Sequence, residues 1–261
     1  MRNPIFFKKS LADGGELLKP WIFIEKSDTV GPTSNNKIDA MNHSSVSAAQ
    51  KKMASPLLKR SFDILFSLLV ILTLSPLFLL LALLIKFDSK GPIFYLAKRL
   101  GKDRKIITVY KFRTMYIDAD IRLKKLIENH PEMKKEWEVF QKLKKDPRCT
   151  PIGKFLRRVS LDELPQFFNV LEGSLSVVGP RPHMIEELDE NPSGLFRKYA
   201  DTILSVKPGI TGIWQTSGRN HLSYEERIEL DCAYVGKQSF FFDLFLILKT
   251  IPCVLFSKGA F

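Results

Sequence analysis

Cysteine is scarce in this 261-residue chain, and no two cysteines lie close together in the sequence. The three are Cys149, Cys232 and Cys253, with no CxxC pair among them. An odd number of widely spaced cysteines argues against a disulfide framework and a cysteine-based zinc site, and it is typical of a reducing compartment. The four histidines show no metal-ligand spacing either.

Several well-known catalytic and binding motifs are also missing. The chain contains no GxxxxGK[ST], GxGxxG, HExxH or GxSxG sequence. It has no recognisable nucleic-acid-binding module and no interleaving of aromatic with basic residues, so we expect no nucleic-acid partner. The first ten residues lack the apolar core of a signal peptide.

Positive charge, in contrast, is abundant and is concentrated in one part of the sequence. The chain carries a net charge of +12. The stretch from Lys86 to Arg158 holds 21 Lys and Arg against nine Asp and Glu, which accounts for the same excess. Such a region attracts anionic partners, including phosphates and anionic lipid headgroups.

Residues 1–56 form a predicted polar extension. Residues 32–50 are rich in Ser, Asn and Ala and poor in large apolar side chains, which is typical of disorder. The sequence does not indicate what this extension does.

One long apolar segment follows, SFDILFSLLVILTLSPLFLLLALLI at residues 61–85. Its 22 uncharged residues, Ile64 to Ile85, are enough for a helix to cross a hydrocarbon core of ~30 Å. However, Ser75 and Pro76 lie in its middle, where proline should bend the helix, and both flanks are basic. Two interpretations stay open: a kinked spanning helix, and a re-entrant hairpin that enters and leaves on the cytoplasmic face.

The remaining segments have simpler patterns. Alternating residues in 91–115 predict a β-hairpin, and the charged residues 117–145 predict two helices separated at Pro131. The Gly-rich residues 207–220 resemble a loop, and the next 15 residues predict a helix. The apolar residues 240–256 are short for a membrane span and suit an interfacial or core helix.

Two adjacent acids stand out at residues 160–163, SLDE. Ser160 and Glu163 fit a capping box, although Pro165 is better accommodated if the helix begins at Leu161 or Asp162. The helix should end at Gly173. Acids in a first helical turn usually do no more than interact with the helix dipole. An ionised Asp162 can also be a nucleophile toward phosphorus, and with Glu163 it can hold a divalent cation completed by substrate phosphates.

The motifs occur in an order that resembles one family. They are KRSFDILFSLLVILTLSPLFLLLALLIKFDSKGPIFY, KFRTM, GKFLRRVSLDELPQFFNVLEGSLSVVGPRP, KPGITGIWQTSGRN, ELDCAYV and FFFDLFLILKTI. Together they cover residue 57 to the end of the chain. This pattern resembles the bacterial sugar transferases, the monotopic phosphoglycosyl transferases that begin glycoconjugate assembly on polyprenyl phosphate.

The resemblance implies an α+β fold in two parts. Residues 57–90 would form a re-entrant membrane helix hairpin, broken at Ser75 and Pro76. Residues 91–261 would form a mainly helical, membrane-associated catalytic domain with a small β element and interfacial amphipathic helices. The domain would lie on the cytoplasmic face of the bacterial inner membrane, in contact with the lipid bilayer.

The resemblance also implies a reaction and its residues. A UDP-sugar would donate sugar 1-phosphate to undecaprenyl phosphate, with release of UMP and Mg²⁺ as cofactor. Asp162 would attack the sugar-bearing phosphorus, and Glu163 would be a magnesium ligand or base. The anion contacts would come from Arg181, Arg157, Arg158 and Arg219, and Asp231 is a further candidate.

Two alternatives remain at this stage: a membrane-bound glycosyltransferase that releases UDP, and a non-catalytic membrane scaffold. The reaction would be the first membrane step of exopolysaccharide, capsule, O-antigen or glycoprotein glycan assembly. The sequence leaves open which of these pathways is served, which sugar is transferred, and whether the protein is a homodimer.

Overall fold

The computed structural model describes residues 55–140, 143, 146–188, 194–218 and 222–255. Nearly all of the predicted polar extension, and Arg219, therefore lie outside the described residues. Within these ranges helices and small sheets alternate, which confirms the predicted α+β class.

The chain alternates helices with two pairs of strands. The helices are α1 (Pro56–Asp88), α2 (Ala119–Asn129), α3 (Pro131–Phe140), α4 (Pro151–Arg158), α5 (Gln166–Glu172), α6 (Leu195–Ile203), α7 (Ile213–Thr216), α8 (Tyr224–Lys237) and α9 (Phe240–Leu255). The strands are β1 (Phe94–Leu100), β2 (Ile106–Phe112), β3 (Ser176–Val178) and β4 (Gly209–Thr211). Short 3₁₀ turns cover Lys102–Arg104, Leu161–Glu163 and Ile185–Leu188.

Helix α1 is long and apolar enough to cross a membrane, by length and composition. Its helical structure continues through Pro76, and Ser75 Oγ donates to the carbonyl oxygen of Leu72 at 2.9 Å. Many of its leucines are exposed, among them Leu65, Leu69, Leu72 and Leu79. The helix is thus continuous in secondary structure, and the re-entrant hairpin stays a prediction.

The N-terminal end of α1 is bound to the folded domain. Arg60 donates to the carbonyl oxygens of Val170 and Leu171, which lie in the last turn of α5. Asp63 is buried and accepts from the hydroxyl and backbone groups of β3, including Val177 N at 3.0 Å. This end of the helix is therefore fixed to α5 and β3.

The C-terminal end of α1 is bound by one buried arginine. Arg113, directly after β2, donates to the carbonyl oxygens of Ile85, Ser89 and Lys90. These carbonyls lie at and just beyond the helix end, where intrahelical donors run out. The same domain thus holds both ends of α1.

Strands β1 and β2 form the predicted antiparallel hairpin. Their register runs from Phe94 opposite Phe112 to Leu100 opposite Ile106. The predicted turn is a 3₁₀ turn with left-handed φ at Asp103 and Arg104. The alternating pattern was sufficient to place this hairpin.

Strands β3 and β4 are parallel, with Val178 opposite Thr211. The predicted loop over 207–220 is therefore wrong in part, because it contains β4 and α7. A side chain at Gly209 would place its Cβ 2.0 Å from the backbone nitrogen of Gly179. The glycines of this segment thus permit close approach of two backbones instead of marking a flexible loop.

Helix α9 has one buried face and one exposed apolar face. Asp243 is buried and accepts from Lys59 Nζ at 2.6 Å and from the Tyr234 hydroxyl at 2.8 Å. The exposed apolar side chains are Phe241, Leu244, Phe245, Leu248 and Ile251. The helix packs as core on one side and offers an apolar surface on the other, beside α1.

Candidate active site

The two acids lie on a short turn in front of α5. Asp162 and Glu163 belong to the 3₁₀ turn Leu161–Glu163. Ser160 has a left-handed φ of 58° and its side chain makes no capping hydrogen bond, so the predicted capping box is wrong. The alternative start at Leu161 or Asp162 is also wrong for the α-helix, because these residues form a 3₁₀ turn and α5 begins at Gln166. The predicted end at Gly173, which has φ 89°, is confirmed. Pro165 is the N-cap of α5, where its missing N–H costs no helical hydrogen bond.

Asp162 is the more buried of the two acids. Its side chain is 9% exposed. Burial and, next, repulsion from Glu163 raise the pKa of Asp162, whereas Lys111 and Arg157 lower it, and the net result is a pKa of about 6. A carboxylate that is poorly solvated and close to cations is a more reactive nucleophile than one in water.

Lys111 holds the second acid. Its Nζ is 2.7 Å from Oε1 of Glu163. It lies on β2, more than 50 positions from the acid in sequence, so sequence spacing could not place it at the site. The signal in the sequence was the KFRTM motif, to which Lys111 belongs.

Arg157 supplies a second cation near Asp162. Its Nε donates to Thr114 Oγ1 at 2.9 Å and its Nη1 contacts Cys149 Sγ at 3.3 Å. Its charge lowers the pKa of Asp162. Arg158 lies on an exposed part of α4. The structure therefore brings Arg157 to the acids and shows no such placement for Arg158.

The two acids fit a magnesium ion of the kind that substrate phosphates complete. No group of three or more His, Cys, Asp or Glu that could hold a metal occurs among the described residues. Magnesium commonly takes one or two carboxylates and fills its remaining positions with water and phosphate oxygens. Asp162 and Glu163 can supply those carboxylates, although Lys111 competes for Glu163.

Two arginines lie beside the ring of Trp214, and a third lies near one of them; we call these three the arginine cluster. The guanidinium carbon of Arg181 lies 4.8 Å from the centre of the indole ring, and that of Arg227 lies 5.9 Å from it. Arg99 on β1 is close enough for the charge of Arg181 to lower its pKa. Within the described part of the chain none of the three forms an ion pair with a carboxylate.

The electrostatics of this arginine cluster favour an anion. Burial, followed by repulsion from Arg181, lowers the pKa of both Arg99 and Arg227. Trp214 is buried, and its Nε1 has no hydrogen-bond partner among the described residues. Repelling guanidinium groups beside an unsatisfied donor are stabilised when a phosphate binds. Arg181 was predicted, whereas Arg99, Arg227 and Trp214 were missed because they are far apart in sequence.

A buried polar network supports the backbone at Arg181. Asp231, on α8, accepts from the Arg181 backbone N–H at 3.3 Å and contacts His183 Nε2 at 3.1 Å. His183 Nδ1 is 2.9 Å from Glu187. Burial disfavours the charged imidazole, but its bonds to the two acids outweigh this and raise the pKa of His183. Asp231 therefore positions the Arg181 segment.

The two cationic regions share one face of the hairpin. Cross-strand partners point to the same face, and side chains alternate along each strand. Tyr95 is opposite Lys111, and Arg99 is opposite Ile107. Arg99 and Lys111 therefore project from the same face, separated by four residue positions or ~13 Å along the strand. Ala97 and Val109 lie between them on this face and are buried in the core, so Lys111 and Arg99 emerge at its two ends.

Comparison with known proteins agrees with these motifs. The family model described as "Bacterial sugar transferase" matches residues 54–257. The exopolysaccharide production protein ExoY of Sinorhizobium fredii is 43% identical over 203 residues, which cover 78% of this chain and 88% of that protein.

Longer relatives match over part of their length. The undecaprenyl-phosphate galactose phosphotransferase of Salmonella typhimurium is 42% identical over 213 residues, or 80% of this chain and 43% of that protein. The UDP-glucose:undecaprenyl-phosphate glucose-1-phosphate transferase of Escherichia coli is 38% identical over 213 residues, which cover 78% of this chain and 42% of that protein. The chain spans less than half the length of these two relatives.

Proposed function

The chain belongs to the bacterial sugar transferase family, and from this membership we propose that it transfers sugar 1-phosphate from a UDP-sugar to undecaprenyl phosphate and releases UMP. The observation that carries the proposal is the buried, cation-flanked Asp162 beside Glu163. Two of the relatives are named as transferases that act on undecaprenyl phosphate.

In the first half-reaction, an Asp162 oxygen attacks the phosphorus that bears the sugar. The bond between that phosphorus and the oxygen bridging to the α-phosphate breaks, and UMP leaves with the bridging oxygen and its electron pair. An acyl phosphate joins Asp162 to the sugar phosphate. Phosphoryl transfer depends mainly on positioning and charge neutralisation, and Lys111 and Arg157 supply cations at this point.

In the second half-reaction, a phosphate oxygen of undecaprenyl phosphate attacks the same phosphorus. The bond from phosphorus to Asp162 breaks, which restores the carboxylate and forms a diphosphate between lipid and sugar. Glu163 takes up the proton if the acceptor phosphate arrives protonated. Because Asp162 carries the sugar phosphate between the two steps, the two substrates need not be bound together.

The arginine cluster provides the remaining anion contacts. Arg181 holds a phosphate of the nucleotide, and Asp231 fixes its backbone by accepting from the Arg181 N–H. Asp162 and Glu163 would hold a magnesium ion, which would supply charge neutralisation at the diphosphate.

The attachment of α1 supports a membrane position for this chemistry. A helix whose two ends are fixed to one domain cannot place them on opposite sides of a bilayer unless the domain also crosses it. The exposed apolar faces of α1 and α9 suit the interface of the cytoplasmic membrane, with the domain on the cytoplasmic side. This arrangement favours a re-entrant α1.

The identity of the nucleotide product tests the proposal. Purified protein is incubated with magnesium, undecaprenyl phosphate and a panel of UDP-sugars, and the released nucleotide is identified. We expect UMP with one sugar. Release of UDP would instead establish a glycosyltransferase.

The matched variant is Asp162→Asn, which should abolish UMP release while preserving the fold. Because the pKa of Asp162 is raised, ionising it costs folding stability as the pH rises from about 4 to about 6. The variant should therefore be more stable than the parent above pH 6, by about 1–3 kcal/mol, with a smaller advantage at lower pH. Full turnover in this variant would show that Asp162 is not the nucleophile.

A further inference from the structure

An apolar pocket lies between α1, α5 and α9. It encloses about 270 Å³. The lining residues are Phe66 of α1, Phe167 of α5, Val177 and Thr211 of the small sheet, Ile210, and Ile247, Thr250, Ile251 and Val254 of α9. Ile251 is 52% exposed, so the pocket wall reaches the molecular surface.

The chemistry of the lining excludes a polar ligand. The only side-chain polar atoms in the wall belong to Thr211 and Thr250, whose hydroxyls lie 2.6 Å apart. Thr250 also donates to the carbonyl oxygen of Leu246 at 2.7 Å. A polar ligand would lose its hydrogen bonds to water without replacement. The volume is also below the ~300–1,000 Å³ of pockets that take whole drug-sized molecules.

The pocket opens within the apolar surface of the protein. Exposed apolar side chains flank it on both helices, Leu65 and Leu69 on α1 and Leu244 and Leu248 on α9. This is the surface assigned above to the membrane interface. A hydrocarbon chain can enter from the bilayer without crossing water.

The residues on the other side of the pocket belong to segments that adjoin the reaction site. Phe167 lies five positions after Asp162, and its ring centre is 6.2 Å from that of Phe66. Thr211 at the end of β4 accepts, through its carbonyl oxygen, from the backbone N–H of Gly179, two positions before Arg181. The pocket is thus beneath the segments that carry the nucleophile and the central arginine.

We infer that this pocket binds the phosphate-proximal part of the isoprenoid chain of the acceptor lipid, an inference that rests on the proposed function. The acceptor phosphate must reach Asp162, and the chain tethered to it is then at high effective concentration in the nearest apolar pocket. A bilayer phospholipid carries a phosphodiester, which is not the acceptor in this reaction, so its chains are not tethered at Asp162. The reacting phosphate therefore determines which lipid chain occupies the pocket.

A matched pair of variants on α9 tests this assignment. Ile251→Trp fills the mouth of the pocket, whereas Leu248→Trp adds the same side chain at a position that is 59% exposed and outside the lining. Both proteins are reconstituted in bilayers with varied mole fractions of undecaprenyl phosphate, and UMP release is measured. We expect the KM for the lipid to rise roughly tenfold in Ile251→Trp and by no more than about twofold in Leu248→Trp. The KM for the UDP-sugar should stay unchanged in both.

Photolabelling gives a second readout that needs no turnover. Undecaprenyl phosphate with a diazirine near its phosphate end is irradiated with the parent protein, and labelled peptides are mapped. We expect labels on Phe66, Phe167 or residues 247–254. Unlabelled undecaprenyl phosphate should compete, and phospholipid should not.

Equal KM values in the two tryptophan variants would overturn the inference. So would labelling outside the lining, or labelling that phospholipid reduces equally well. If the parent releases no UMP, the proposed function fails, while competed labelling of the lining would still identify the pocket as a site for this lipid.

Discussion

At the scale of single residues, Asp162 owes its reactivity to a balance of opposing effects. Burial and the neighbouring Glu163 raise its pKa, and Lys111 and Arg157 lower it. At a value of about 6 the group is mostly ionised at neutral pH but easily perturbed. Lys111 acts on it directly by charge and indirectly by pairing with Glu163 at 2.7 Å.

The pH dependence of the reaction should report this balance. Because the attacking group is the carboxylate, kcat/KM should rise with pH through about 6 and level off above it. In Lys111→Met the rising limb should shift to higher pH by roughly one unit, because a cation that favours the ionised acid is gone.

Lys111→Arg is the matched control, since it keeps the charge. In Lys111→Arg, kcat/KM should rise over the same pH range as in the parent, even if the maximal rate falls. Profiles are measured at a fixed magnesium concentration. If the pH profile of Lys111→Met coincides with that of the parent, ionisation of Asp162 does not cause the rise of kcat/KM with pH.

At the scale of secondary-structure elements, α1 is joined to the reaction site at both ends. Arg60 caps α5, the helix that follows the acids, and Asp63 binds β3, which leads to Arg181. Arg113 binds the other end and is two positions after Lys111. The KFRT sequence thus connects the membrane helix, the hairpin and the site.

Replacing the buried Arg113 by lysine should loosen α1. A lysine keeps the charge but lacks the planar fork that reaches carbonyl oxygens of Ile85, Ser89 and Lys90 together. The loss should amount to about 2–4 kcal/mol of unfolding free energy, because charged hydrogen bonds are lost in a buried place. Thermal unfolding in detergent measures it, together with proteolysis near residues 88–92.

The control is Arg122→Lys on α2, where an exposed arginine pairs with Asp118 at 2.8 Å. A change within about 0.5 kcal/mol is expected there. Equal effects at the two positions would mean that the Arg113 contacts do not fix the helix.

Several secondary-structure elements could be predicted from the sequence. Periodicity placed the β1–β2 hairpin, the separation of α2 and α3 at Pro131, and the end of α5 at Gly173. The capping box at Ser160 failed because a left-handed residue brings the chain out of α4 into the turn. A complete capping box occurs at Ser223 and Glu226 of α8.

The residues that were missed share one cause. Arg99, Lys111, Arg227 and Trp214 meet the predicted site residues only after folding, and local spacing carries no information about such contacts. Gly209 was predicted to lie in a loop, because glycine serves both flexibility and the close backbone approach that Gly209 makes to Gly179.

At the scale of the whole molecule, the architecture separates apolar from anionic functions. The exposed faces of α1 and α9 are apolar, whereas Lys111 and Arg99 lie at the two ends of a hairpin face whose middle, Ala97 and Val109, is buried in the core. The acids lie in the turn before α5, and Phe167 of the same helix lines the apolar pocket. A lipid phosphate and a sugar nucleotide can therefore approach the same carboxylate from a membrane and from water.

The most direct measurement is a search for the covalent intermediate. Protein is mixed with magnesium and a UDP-sugar labelled in the phosphate next to the sugar, without acceptor lipid, then quenched and digested. We predict that the label is bound to the peptide containing Asp162, that one equivalent of UMP is released, and that undecaprenyl phosphate discharges the label. Turnover of the UDP-sugar with UMP release but no label on Asp162, under conditions that preserve acyl phosphates, would contradict the two-step mechanism.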